Sequence, residues 1–134
     1  MISLMDYQTY YQSITKPFFA PPDWVFGVAW GIIYPLMALA LVYLLYLVLK
    51  RRVSGNLLLL YAVNILANLA FTPIQLVLGN QFLATVDILV VLGTLSALLY
   101  KIYPQSKIVV VLLAPYFFWG AFATILQITL LVIN

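Results

Sequence analysis

The 134-residue chain contains no cysteine, no histidine and no glutamate. Without cysteine there is no disulfide framework and no thiolate chemistry. Without histidine the usual metal ligand and the usual near-neutral acid–base group are both missing. The side-chain carboxylates reduce to Asp6, Asp23 and Asp87. Conventional hydrolytic or metal chemistry has almost no residues to run on, and no cofactor is required by what remains. Charge is scarce altogether: 7% of residues are charged against 66% hydrophobic. A soluble domain of this size needs far more charge to cover its surface. The composition therefore predicts an all-α membrane protein with a single domain over residues 1–134. The net charge of +3 sits mostly in two short loops, the pattern of a topology signal and not of a nucleic-acid-binding face. Residues 1–15 are polar and tyrosine-rich, without the basic-then-apolar layout of a cleavable signal peptide.

What is present is long apolar sequence. About 20 apolar residues cross a bilayer core as a helix. Segments of that kind run at about 24–49, 57–78, 82–102 and 107–133. They are continuously apolar, without the alternation of a membrane barrel strand. Gly55-Asn56, Gly79-Asn80 and Pro104-Gln105 mark short connections. Short connections make antiparallel neighbours, so a compact four-helix bundle is expected. Lys50, Arg51, Arg52, Lys101 and Lys107 fall at one end of it, and Lys16 alone at the other. The positive-inside rule then puts loops 50–56 and 101–107 in the cytoplasm and both termini outside. Tyr10, Tyr11, Phe18, Phe19 and Trp24 are expected near the outer interface, where amphipathic rings settle.

Polar residues inside such segments are costly and face other helices or a cavity. The second segment carries Asn64, Asn68, Thr72 and Gln75, spaced to share a stripe. Pro73 beside them removes a backbone donor. Interhelical hydrogen bonding and a polar-lined cavity both fit this stripe. The fourth segment carries Pro115, Trp119, Ala123 and Gln127 at steps of four, with Tyr116 adjoining. Large beside small leaves room for something flat, or is plain packing. The first segment carries Phe26, Trp30 and Tyr34 at steps of four, a stripe that serves equally as core. Its Gly27–Gly31 spacing permits close helix approach. Asp87, about a turn and a half into the third segment, is read as a structural acceptor for Tyr or Asn donors. The competing readings are a proton-relay group or a carboxylate reaching interfacial water.

The stretch "KPFFAPPDWVF" (16–26) places three prolines among aromatic rings directly before the first apolar segment. Each proline fixes φ, so the segment is expected to be extended, with Asp23 complementing the helix N-terminus. Phe18 and Phe19 are placed to fold over the mouth of the bundle, making 1–23 an extracytoplasmic lid.

"YYQSITKPFFAPPDWVFGVAWGIIYPLMALA", "NLAFTPI" (68–74) and "VVVLLAPYFFWGAFATIL" (109–126) together resemble the TspO/MBR family, the tryptophan-rich sensory and translocator proteins. The likeness covers about residues 10–134, in three separated motifs in order. It implies a helical membrane protein that binds tetrapyrroles such as protoporphyrin IX, and in some members sterols or synthetic ligands. The ligand lies in a cavity open toward the KPxFxPP loop. Matched to this chain, the pocket positions are Tyr11, Trp30, Asn68, Phe71, Trp119 and Ala123. Pro22, Phe26, Tyr34, Gln75 and Tyr116 complete the expected ligand-binding set by their place beside them. Some bacterial members are reported to degrade porphyrin in light, which makes Trp30 and Trp119 the matching candidates for that chemistry.

The chain departs from the pattern in having Phe71-Thr72 where many members have Trp-Ser, and Gln127 where Asn is usual. Only 15 residues precede Lys16, so the family's first transmembrane helix is expected to be lacking. The lid is then expected to be free on its N-terminal side or held by a second subunit, and the protein to be a homodimer. A porphyrin-binding sensor, scavenger or carrier in a prokaryotic plasma membrane is the reading favoured, with membrane lipid as the surrounding partner. Light-dependent porphyrin degradation and small-molecule or sterol transport are the alternatives. Small multidrug exporters also have four short helices, but they need a membrane-embedded glutamate in the first, and this chain has none.

Overall fold

The computed structural model describes residues 11, 12 and 14–134. Asp6 and Tyr10, named above, lie outside the described residues. Among the described residues, four long helices follow in order: α1 (Asp23–Leu49), α2 (Gly55–Thr72), α3 (Gln81–Ile102) and α4 (Lys107–Ile133). A π-turn, Pro73–Val77, extends α2. Each helix, with α2 taken through Val77, is long and apolar enough to cross a membrane. The protein is an integral membrane bundle.

Local chemistry sets the ends. Asp23 opens α1 with its negative charge at the positive end of the helix dipole. Ser54, Asn80 and Ser106 cap α2, α3 and α4, each side chain accepting a backbone N–H. The Ser54 cap starts α2 at Gly55, two residues ahead of the sequence expectation. Pro73 does not break the helix. It lacks an N–H to continue the ladder, and the backbone widens by one residue, so that the Leu78 N–H reaches the Pro73 carbonyl. Gly79 then turns the chain at φ +61°, a conformation glycine takes without steric cost.

The end of α1 shows a less comfortable solution. Arg51 sits at φ +58°, and the Arg52 N–H reaches back to the Leu47 carbonyl. This left-handed helix exit is normally taken by glycine. Arg51→Gly is expected to stabilise the bundle by about 0.5–1 kcal/mol, read as a later midpoint in detergent-induced unfolding.

The strongest packing is of α3 against both α2 and α4, with α1 seated mainly on α4. The core follows Met37, Ala40 and Leu44 on α1, Tyr61 on α2, Leu95 and Leu98 on α3, and Leu113 and Tyr116 on α4. The outward faces carry Leu39, Val42, Leu66, Val86 and Val111, as a lipid-facing surface requires. Gly27 and Gly31 do not bring two helices together: a Cβ at either would meet nothing within 4 Å.

The proline segment is held from within the chain, against the expectation of a free N-terminal side. The Asn134 side chain accepts from the Thr15 N–H at 3.0 Å and donates to the Thr15 carbonyl at 2.9 Å. The Tyr11 hydroxyl donates to the Pro21 carbonyl, and Lys16 Nζ donates to the Tyr11 carbonyl at 2.8 Å. Lys16 also lies over the Tyr11 ring. Burial, and then the Asp23 carboxylate, push the Tyr11 phenol pKa up, so it stays a donor through the neutral range. Phe18 is fully exposed, and Phe19 alone of that pair folds inward.

Candidate functional site

Below the proline segment the aromatic side chains form two groups of touching rings, and Trp30 of the deeper group also packs against the buried cluster of Tyr11, Phe26, Leu126 and Leu130. Tyr11 meets Phe26 edge-on at 5.1 Å, and Phe26 meets Trp119 at 5.6 Å. Trp119 lies 5.4 Å from Phe122, which Phe19 reaches at 6.4 Å. One turn deeper, Trp30 stacks on Tyr34 at 5.1 Å and turns its edge to Tyr116 at 6.3 Å. Offset and edge-on contacts of this kind suit the ring quadrupoles. The rings lie against each other, so a flat ligand enters by parting them. An open recess of about 360 Å³ on the α1–α4 seam is lined by Ala29, Ile32, Ile33, Pro115, Phe118 and Trp119. Trp119 thus belongs both to the ring set and to this groove. Its indole Nε1 is buried without an acceptor.

The polar residues form two clusters. In the first, the Tyr34 hydroxyl donates to Asn68 Oδ1 at 3.1 Å, and Asn68 Nδ2 donates to the Tyr116 hydroxyl at 3.1 Å. That hydroxyl donates on to Asn64 Oδ1 at 2.8 Å. Asn64 Nδ2 ends the chain at the Val91 carbonyl and Thr94 Oγ1 on α3. All four helices are linked through it. In the second, Gln75 Nε2 donates to Gln127 Oε1 at 2.7 Å, and Gln127 Nε2 donates to Thr85 Oγ1 and to Gln81. Gln75 Oε1 is buried with no partner. In an apolar medium such polar groups are satisfied by one another or by a ligand.

The expected stripes are only partly faces. Steps of four residues advance the helix by about 400°, a drift of about 40° at each step. Phe26 is accordingly buried while Tyr34 is 43% exposed. On α4 Pro115 faces outward and Gln127 inward, and the buried line is Val109, Leu113, Tyr116, Gly120, Thr124 and Gln127. Asn64 and Asn68 join the first cluster, and the π-turn carries Gln75 to the second. Of the residues expected to bind ligand, ring contacts bring Tyr11, Phe26 and Trp119 together, and ring contacts and hydrogen bonds bring Trp30, Tyr34, Asn68 and Tyr116 together. Phe71 and Ala123 are half-buried, and Pro22 is exposed at the N-terminus of α1. Sequence reasoning missed Phe122, Gln81 and Thr85. The Gln81–Thr85 spacing, one turn apart at the start of α3, is the signal that pointed to the last two.

Asp87 is a correction. It does not serve as the acceptor for Tyr or Asn donors: the Tyr116 hydroxyl goes to Asn64, and the Tyr34 hydroxyl goes to Asn68. Asp87 Oδ2 is buried with no partner.

The TspO/MBR family model matches residues 1–133. The tryptophan-rich protein TspO of Bacillus cereus is 39% identical over 129 residues, covering 95% of this chain and 82% of that protein. The human translocator protein is 35% identical over 123 residues, covering 88% of this chain and 70% of that protein. The tryptophan-rich sensory protein of Cereibacter sphaeroides is 29% identical over 122 residues, covering 91% and 75%.

Proposed function

The chain belongs to the TspO/MBR family, and on that premise we propose that it is a membrane-embedded tetrapyrrole-binding protein that works as a sensor, scavenger or carrier. The observation that carries this reading is the two ring groups on the α1–α4 seam, Phe26 with Trp119 and Trp30 with Tyr34 and Tyr116, with Asn68 hydrogen-bonded to the second. Five rings from two neighbouring helices offer stacking surface to a flat aromatic ligand, and the amide offers a polar anchor. Metal-free porphyrin fits better than haem, because the chain has neither histidine nor cysteine to ligate iron. The loops with Lys50–Arg52 and with Lys101 and Lys107 face the cytoplasm in this reading, which leaves Tyr11 and the proline segment outside.

The test is a titration of protoporphyrin IX into the protein in lipid nanodiscs, followed by tryptophan fluorescence. Saturable quenching is expected. Trp119→Phe keeps a ring at the centre of the set and is expected to weaken binding severalfold, by the loss of stacking area. Trp24→Phe, on a 61% exposed side chain at the interface, is expected to leave the affinity unchanged. Absence of saturable quenching in the parent protein, or equal affinity in parent and Trp119→Phe, overturns the assignment.

A further inference from the structure

Asp87 is the one carboxylate in the membrane-spanning part of the chain, since Asp23 stands at the start of α1 and Asp6 precedes it. It lies six residues into α3, about 9 Å from the outer end at 1.5 Å per residue. Its position on α3 is fixed by its neighbours. Val91 and Thr94, one and two turns further along the same face, receive Asn64 of α2. Asp87 therefore shares the face of α3 that is turned to the first polar cluster. No lysine or arginine of the chain is near: five lie at the far end of the bundle and Lys16 is bound up with Tyr11 in the proline segment. The donors in the cluster are already committed to one another, and Oδ2 stays buried and unpartnered.

A carboxylate oxygen left in this state inside an apolar bundle is costly, and a bound donor removes the cost. The negative charge of the carboxylate favours a cation over an anion as well. We propose that Asp87 is the charge-selecting residue of the candidate site. It accepts from an ammonium or N–H group that a flat aromatic ligand presents to the bundle interior, and it excludes carboxylate groups from that end. A ligand carrying both kinds of substituent is thereby oriented, with its carboxylates turned away from Asp87. This rests on the reading of the ring set as a tetrapyrrole site.

The experiment compares two porphyrins on the same protein. The full chain and its Asp87→Asn variant, in nanodiscs of zwitterionic lipid, are titrated with protoporphyrin IX dimethyl ester and with the bis-ammonium derivative made by amidating both propionates with ethylenediamine. The parent is expected to prefer the bis-ammonium compound. Asp87→Asn is expected to lose about tenfold in affinity for it, the loss of a charge-assisted hydrogen bond, and less than twofold for the ester. Asp87→Glu is expected to retain the preference, which separates charge selection from damage to the fold. An equal change for both porphyrins, or no change for either, overturns the role of Asp87 while the site stands. Failure of the parent to bind the ester overturns the site, and the role of Asp87 with it.

Discussion

Replacing Asn64 with alanine is expected to lower the free energy of unfolding by about 3 kcal/mol. Asn64 is completely buried, and its amide donates to the Val91 carbonyl and to Thr94 while accepting from Tyr116. A single interhelical hydrogen bond in a membrane protein contributes about 0.6 kcal/mol on average, so the sum of direct bonds alone stays near 2 kcal/mol. The rest comes from what is left behind. The Tyr116 hydroxyl loses its acceptor where neither water nor lipid can replace it, and a void opens among α2, α3 and α4. Thr94→Ala should cost under about 1 kcal/mol, because its hydroxyl also bonds its own helix at Val90 and its loss orphans less. Unfolding of the purified variants by SDS in mixed micelles measures both. Equal effects at the two positions would show that the cluster is a set of independent pairs.

Gln127→Leu carries the second large effect, about 2–3 kcal/mol. Gln127 ties α4 to the π-turn through Gln75 and to α3 through Gln81 and Thr85. Gln75 is itself 3% exposed, so removing Gln127 strands the Gln75 Nε2 donor beside an Oε1 that already lacks a partner. Converting both to leucine removes donor and acceptor together. The double variant is therefore expected to be more stable than Gln127→Leu alone, with a coupling energy of about 1–2 kcal/mol in a double-mutant cycle. Additive losses across the cycle would mean that the two amides act through separate contacts. A glutamine at 127 is long enough to span from α4 to Gln75 and Thr85 at once.

The architecture was legible because a bilayer imposes it. Unbroken apolar runs of sufficient length admit few solutions, and the serine and asparagine caps open the helices within two residues of the expected starts. Pro73 was read correctly as a site of a missing donor, but propensity does not distinguish a broken helix from one that widens by a residue. The ring set was legible through its motifs, and not through spacing. Phe26, Trp30 and Tyr34 drift around α1, and only the packing of α1 on α4 decides which ring turns inward. The asparagine chain was half legible: a polar stripe on α2 was evident, whereas its continuation into Tyr116 and Thr94 depends on which helix faces which. Asp87 was misread because a buried acid among tyrosines and asparagines invites pairing, and those groups had already satisfied each other. The tie between Thr15 and Asn134 joins residues 119 positions apart, and no local pattern announces it.

That tie has a consequence for how any ligand arrives. With the proline segment pinned to the tip of α4, the groove at Ala29, Ile33 and Trp119 lies to the side, beside the exposed apolar residues Ile32 and Phe118. A ligand that takes this route arrives by diffusion in two dimensions. What governs occupancy is the mole fraction of ligand dissolved in the bilayer, so an affinity expressed per litre of water shifts with the amount of lipid in the sample, and partitioning into the membrane becomes the first stage of recognition.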